Sequence, residues 1–227
     1  MTMFKIAILG GTGPQGKGLG YRFAKAGHPV ILGSRTPERA AAAADELGAR
    51  LPTGLNISGT DNANATKDAD VVILAVPFKG HSELLIELRP YLEGKIVVSC
   101  VNPLGFDGLG PFGLNVEEGS AAEQAAALLP NSKIVGAFHH LSAVSLLGDA
   151  ELLTDDDVLV CADDPDARQV IVALASLITG KPGIAAGGLR LARYLEPFTA
   201  VLISINKQYK AHSGVLISGL PDVAKGL

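Results

Sequence analysis

The chain has 227 residues, with 19 Lys+Arg against 23 Asp+Glu and a formal net charge of −4. That length gives one or two domains and a core large enough to hold without a disulfide or metal staple. The acidic balance, the lack of Trp and an aromatic content of only 5% argue against nucleic acid as a partner, since phosphates need a basic excess and bases need a stacking platform. Cys100 and Cys161 stand 61 positions apart, with no C-x-x-C and no metal-ligand spacing. This reads as two reduced thiols in a cytoplasmic protein. The early apolar run Ile6 to Leu9 stops at Gly10. It falls far short of the roughly 18 residues a membrane span needs, and no targeting peptide is expected.

Phe4 to Leu9 reads as a first strand buried on both faces. Pro14 to Ala26 has helical spacing, with Leu19, Phe23 and Ala26 on one side and Gly27 as its stop. Val30 to Leu32 is a second strand. Thr36 as N-cap and Pro37 at the first helical position open an Ala-rich helix to Leu47. A short strand at Asn56–Ser58 and a short helix at Asn62–Lys67 follow. Val71 to Val76 is a buried strand ended by Pro77, Ser82 to Leu92 a helix, and Ile96 to Ser99 a strand. Residues 100–119 read as a long loop carrying five glycines, Pro103 and Pro111, a length that in a compact domain goes with function or mobility. Then come a helix at Ser120–Leu129, a strand at Ile134–Phe138 leading into His139-His140, a strand at Val158–Cys161 and a helix at Pro165–Ile178. Alternating strands and helices predict a doubly wound, mostly parallel α/β sheet of Rossmann type. A smaller, largely helical C-terminal domain is expected over residues 149–227, after a nucleotide domain at 1–148. Its last helix, about Leu189 to Tyr209, sets Leu191, Leu195, Phe198, Leu202, Ile205 and Tyr209 in steps of four and three. Such a seam packs either on the first domain or on a second subunit.

The first strand runs into Gly10-Gly11-Thr12-Gly13-Pro14-Gln15-Gly16, in which Gly11-x-Gly13-x-x-Gly16 matches the dinucleotide fingerprint. Gly11 is expected to permit the tight turn, Gly13 to let backbone approach a pyrophosphate, and Gly16 to let the helix sit close on the strand. The helix N-terminus then points free N–H groups at the anion. An NAD site places a carboxylate about 20 residues further on. Here that place holds Arg35, preceded by Ser34 and followed by Arg39, and no carboxylate stands before Glu38. A guanidinium pair and a hydroxyl suit a 2′-phosphate, and Arg39 at the third helical position otherwise opposes the helix dipole. The expected dinucleotide is therefore NADP(H), with Thr12 also within reach of the phosphate. Lys17 reads either as a pyrophosphate contact or as a solvated cation. Val76 and Pro77 end a strand at the edge where ligands of open sheets bind, and Phe78 stands either near the nucleotide or in the core.

A proton donor or acceptor for a carbonyl substrate is not evident. There is no Tyr-x-x-x-Lys, and His139 and His140 are the one plausible pair. As neighbours on a strand they are expected on opposite faces, so that at most one meets a given pocket. Missing acid–base equipment fits a substrate that is itself a redox coenzyme, for which a protein need only stack two rings and exclude water.

The segments Ile8–Gly18, Gly33–Arg35, Ala75–Phe78, Ala137–Ala143 and Leu202–Gly214 resemble the NADPH-dependent reductases of the deazaflavin coenzyme F420, and the resemblance spans essentially the whole chain. It implies reversible hydride transfer between NADP(H) and coenzyme F420 with no catalytic protein acid or base. It implies NADP on Thr12, Gly13, Pro14 and Gln15, with Ser34, Arg35 and Arg39 on the 2′-phosphate. Phe78, Asn102 and Ala143 would lie near the nicotinamide, and the deazaflavin near His139 and the tail around Gly214. It also implies a homodimer. Arg190, Arg193, Lys207, Lys210 and His212 form a basic cluster suited to the coenzyme's anionic tail. The alternatives are an NADPH-dependent reductase of a small imine or carbonyl compound, and a non-catalytic NADP(H)-binding module.

Overall fold

The computed structural model describes residues 2–221. In chain order the elements are β1 (Ile6–Leu9), α1 (Pro14–Lys25), β2 (Val30–Ser34), α2 (Pro37–Gly48), β3 (Ile57–Asp61), α3 (Asn62–Lys67), β4 (Val71–Leu74), α4 (His81–Leu92) and β5 (Ile96–Ser99). The hairpin β6 (Leu104–Asp107) and β7 (Gly110–Gly113) follows. Next come α5 (Ala121–Leu128), β8 (Lys133–Gly136), α6 (Ala143–Leu147), β9 (Leu159–Ala162), α7 (Pro165–Thr179), β10 (Ile184–Gly187), a 3-10 turn at Leu189–Leu191 and α8 (Ala192–Tyr209).

One sheet runs β10-β9-β8-β5-β4-β1-β2-β3. All neighbours are parallel except β8 and β9, which pair antiparallel. Alternation along the strands sorts the core onto the two faces, as a period of two requires. Ile6, Ile8, Val71 and Ile73 join Leu19, Phe23 and Leu47 on one face. Ala7, Leu9, Val72 and Leu74 join Leu85, Leu88 and Ala122 on the other. Because Leu9 pairs with both Gly33 and Leu74, and Ser99 with Leu74 and Gly136, the loops after β1, β2, β4, β5 and β8 all leave at one edge. The chain order reverses at β1, between β2 and β4, which makes that edge the binding edge of a doubly wound sheet.

The structure departs from the sequence reading at three places and adds to it at a fourth, the C-terminal part. The loop 100–119 contains the antiparallel hairpin β6–β7, whose Gly and Pro content hides its strands from pattern reading. β10, built of Ile-Ala-Ala-Gly, and the short α6 give too little periodicity to be read from sequence. The sheet also continues past residue 148 through β9 and β10, so the later residues add strands to the first layer as well as helices. Thr36 is the N-cap residue of α2, but its side chain caps nothing, and its own N–H donates to Ser34 Oγ at 3.2 Å. No helix among the described residues is long and apolar enough to cross a membrane.

Candidate active site

Two adjoining cavities open at the binding edge, and both are walled by Gly13, Ala75, Val76 and Pro77. The glycines place this wall. Gly10, not Gly11, makes the left-handed turn, with φ of 78°. A Cβ on Gly10 would stand 2.4 Å from the Ala75 carbonyl oxygen. Gly11 is required for a different reason, since a Cβ there would meet Leu32 Cβ at 2.7 Å. Gly16 brings α1 onto the turn, where a Cβ would sit 2.5 Å from Gly10 O. At Gly13 a Cβ would meet only Gly10 O, at 3.4 Å, so its outer side is open for a ligand to approach the backbone. Gly13 is the N-cap of α1 without a side-chain cap, which leaves the helix's first N–H groups facing that approach.

The first cavity, about 590 Å³, is lined by Thr12, Ser34, Arg35, Thr36, Arg39, Asn62 and Lys79 besides the shared wall. Among the described residues three cations and no carboxylate line it. Among the described residues none of the three takes part in an ion pair. The Asn62 side-chain oxygen is buried without a hydrogen-bond partner. A phosphorylated nucleoside fits this donor set. Nothing in the sequence marks Lys79 and Asn62 as site residues, because neither lies in a recognisable motif. Lys17 pairs with Glu46 on α2, which settles its two readings in favour of the surface cation.

The second cavity, about 490 Å³, has Gln15, Asn102, His139, His140, Ala143 and Thr199 on its lining, with apolar walls from Val101, Leu141, Leu202 and Ile203. Among the described residues no Asp, Glu, Lys or Arg lines it. His139 is 5% exposed, and neither ring nitrogen has a partner. Burial, with His140 beside it, pushes its pKa down to about 3, so the ring is neutral. Burial likewise lowers His140, whose Nε2 lies 2.8 Å from the Leu195 carbonyl. Burial raises the Cys100 thiol to about 12. Both histidines face the same cavity, against expectation. β8 has ended at Gly136, and Phe138 takes the left-handed conformation at φ of 63°, which breaks the strand alternation. The kink is held by side chains from distant parts of the chain: Gln15 Nε2 donates to Phe138 O at 3.2 Å, and Asn102 Nδ2 donates to His139 O at 3.1 Å. The neutral, partly apolar slot, with an orphaned histidine and the orphaned Asn102 Oδ1 on its wall, suits a flat heteroaromatic ring that carries polar edges.

The remaining expected residues divide. Gly214 lines a neighbouring hollow of about 360 Å³ with Asp155, Asp156 and Ser213, and Ser213 also borders the second cavity. Phe78 lines neither cavity. It packs on the β4–α4 cluster, with its ring 6.0 Å from that of His81. Arg193 does not stand free for an anionic tail, because it pairs with Glu123 on α5. Ala143 reaches the cavity on α6, which is held by buried Arg22. That guanidinium donates to the carbonyls of Ser145, Leu146, Ala150 and Glu151 at 2.7–2.9 Å.

Comparison with known proteins bears on the same residues. The family model described as NADP oxidoreductase coenzyme F420-dependent matches residues 5–103. The F420-dependent NADP reductase of Methanocaldococcus jannaschii is 39% identical over 222 residues, covering 95% of this chain and 99% of its own. That of Methanothermobacter thermautotrophicus is 37% identical over 228 residues, covering 97% of each. A crystal structure of a candidate F420-dependent NADP reductase from Arthrobacter sp. FB24 superposes with a TM-score of 0.81 at 26% identity, covering 95% of this chain and 100% of that one. With its glycine turn, its cation-lined cavity and this identity over nearly the full length of both chains, the protein belongs to the family of F420-dependent NADP reductases.

Proposed function

We propose that the protein transfers a hydride reversibly between NADP(H) and the deazaflavin coenzyme F420, directly from ring to ring, without a protein acid or base. The observation that carries this reading is the second cavity. Among the described residues no Asp, Glu, Lys or Arg lines it, burial lowers both of its histidines and raises its Cys100 thiol, and a substrate that needs a proton therefore finds no strong acid there. The bound coenzymes bring both reacting carbons, the nicotinamide C4 and the deazaflavin C5.

The chain's part is to bind, orient and exclude water. Gly11, Thr12, Gly13, Pro14, Gln15 and Gly16 hold the pyrophosphate at the start of α1, where the helix dipole favours an anion. Ser34, Arg35 and Arg39 take the 2′-phosphate. Val76 and Pro77 form the partition along which the dinucleotide passes from one cavity to the other. Asn102 and Ala143 border the nicotinamide, and His139 and the segment at Gly214 border the deazaflavin. The segment from residue 149 completes that cleft, its residues 222–227 lying outside the described ones. The outer stripe of α8, with Tyr194, Phe198, Val201, Ile205 and Tyr209 all exposed, docks a second copy into a homodimer. The two buried, unpaired thiols fit a cytoplasmic setting.

Mixing the protein with NADPH and oxidised F420 tests the reading. Bleaching of the deazaflavin's visible absorbance, matched by NADPH oxidation, is expected. Turnover of a small imine or ketone with no bleaching would replace it by a carbonyl or imine reductase. Tight NADPH binding with no turnover of any acceptor would leave a binding module.

A further inference from the structure

Glu196 lies on α8 and is 1% exposed. A carboxylate so placed costs several kcal/mol in the absence of strong partners. Its partners are the first two N–H groups of α5, with Ala121 N donating to Oε2 at 2.7 Å and Ala122 N to Oε1 at 3.0 Å. The next N–H, that of Glu123, donates to Ser120 Oγ at 3.0 Å. The opening turn of α5 is therefore capped from two sides, by its own serine and by a carboxylate 75 positions away in sequence. One turn before Glu196, Arg193 pairs with Glu123. The first two turns of α8 thus grip the first turn of α5 twice, and the acceptor sits where the helix dipole favours negative charge.

From this anchor α8 runs along the second cavity. Thr199, Leu202, Ile203 and Asn206 line it. They stand at spacings of three, six, seven and ten from Glu196, close to one helical face. Ile203 lies about 10 Å along the axis from the anchor at 1.5 Å per residue, so a tilt of about 6° at the base displaces it by about 1 Å. A gap of that size between wall and ring forfeits about a quarter to a half of each dispersion contact, which weakens binding of the ring. No residue of α8 lines the cation-rich cavity.

We infer that Glu196 is a positioning residue: its carboxylate, bonded to the first turn of α5, sets the angle of α8 and hence the wall against which the deazaflavin ring packs. The inference rests on the hydride-transfer reading for what occupies that wall, while the anchoring itself does not. Burial raises the Glu196 carboxyl to about 7, and Glu123 is the one other ionised group contributing to that shift. An amide substitution therefore removes a group that is partly ionised at neutrality.

The test is Glu196→Gln, which keeps the shape but turns one acceptor into a donor facing an N–H. The KM for F420 is expected to rise about tenfold, with kcat and the Kd for NADPH within about twofold of wild type. Amide exchange is expected to accelerate at Ala121 and Ala122 and along residues 199–206, and to stay unchanged in the first turn of α1. An unchanged KM for F420, or a parallel loss of F420 and NADPH binding, overturns the positioning role. If E196Q does not fold, Glu196→Asp, with both acceptors on a shorter arm, is held to the same split. Failure of the wild-type protein to reduce F420 is failure of the functional reading. The anchoring then stands or falls on exchange at residues 199–206, which needs no coenzyme.

Discussion

The two cavities share a wall and are built in opposite ways. The cation-lined cavity rests on backbone pressed against backbone: Gly10 on the Ala75 carbonyl, Gly11 on β2, Gly16 on Gly10. The neutral cavity is walled by segments outside the glycine frame, among them α6, α8 and the chain after it, which are fixed in place by a few polar tethers. Arg22 holds α6, Glu196 holds α8, Asn206 Oδ1 accepts from Ser213 N at 2.6 Å, and Asp157 Oδ2 accepts from Ile217 N at 2.7 Å. A dinucleotide has one shape and one charge pattern, which a rigid frame can match in advance. A second ring that must enter, stack and leave is better served by walls whose position is set by a few replaceable bonds.

Cutting a tether should therefore damage one cavity and spare the other. Arg22→Ala carries the largest expected effect. It empties the place of a buried guanidinium and leaves four carbonyls without their charged donor, and a loss of about 3–5 kcal/mol is expected, measured by chemical denaturation. The Kd for NADPH of the folded fraction should stay near the wild-type value, and a matching rise in that Kd would dissolve the contrast between the cavities. Glu196 gives a second effect that reads out with pH. Burial raises its pKa from 4.5 to about 7 in the folded state. Between those values the folded chain holds a proton that the unfolded chain releases. The group's contribution to stability is thus fully present below about pH 4.5 and is lost as pH rises through about 7. The stability of wild type minus that of E196Q should fall across this window by up to about 3 kcal/mol. A flat difference would mean that the carboxyl is not buried as described.

At the other cavity the expected effect is a change of specificity. Charge-assisted hydrogen bonds contribute roughly 1.5–3 kcal/mol, and each ~1.4 kcal/mol is tenfold in affinity. Arg35→Ala should weaken NADPH by about 10–150-fold and leave NADH nearly untouched, as measured by calorimetric titration of both nucleotides. Equal losses for the two would remove the guanidinium from the 2′-phosphate.

The same contrast explains what could be read from the sequence. β1, β2, β4, β5, β8 and β9 are short buried runs, and the fingerprint lies within seven residues, so their physics is local. Ser34 and Arg35 follow β2 directly and Arg39 lies one turn into α2, which brings them to the cavity by chain direction alone. The misses are non-local or lack contrast. Gly10 and Gly11 are adjacent, and only the close approach of β4 shows which of them carries the left-handed turn. Phe78 follows Pro77, yet it turns to the α4 side because His81 and the β4–α4 cluster offer it a packing site. Both histidines reach one cavity because of a single residue, Phe138, in a conformation that no sequence pattern marks. In sequence Glu196 looks like any solvated helix glutamate, and only the first turn of α5, which starts against it in space, gives it a role.

The smallest expected effect concerns His139, and it separates ring packing from proton transfer. Its imidazole is buried, its nitrogens are unbonded, and with a pKa of about 3 it is ionised in roughly one molecule in 10⁴ at pH 7. Such a ring is a surface, not a reagent. His139→Ala removes part of the wall, so the KM for F420 should rise about three- to tenfold while kcat changes less, roughly 0.6–1.4 kcal/mol of lost contact. The profiles of kcat/KM against pH for wild type and variant should run parallel between about pH 5 and 8, because neither carries an ionisation at this position there. A collapse of kcat at unchanged KM, or a limb of the profile that disappears with the imidazole, would make His139 a participant in the chemistry. The neutral cavity would then have to be understood as an acid–base site held in reserve by its burial.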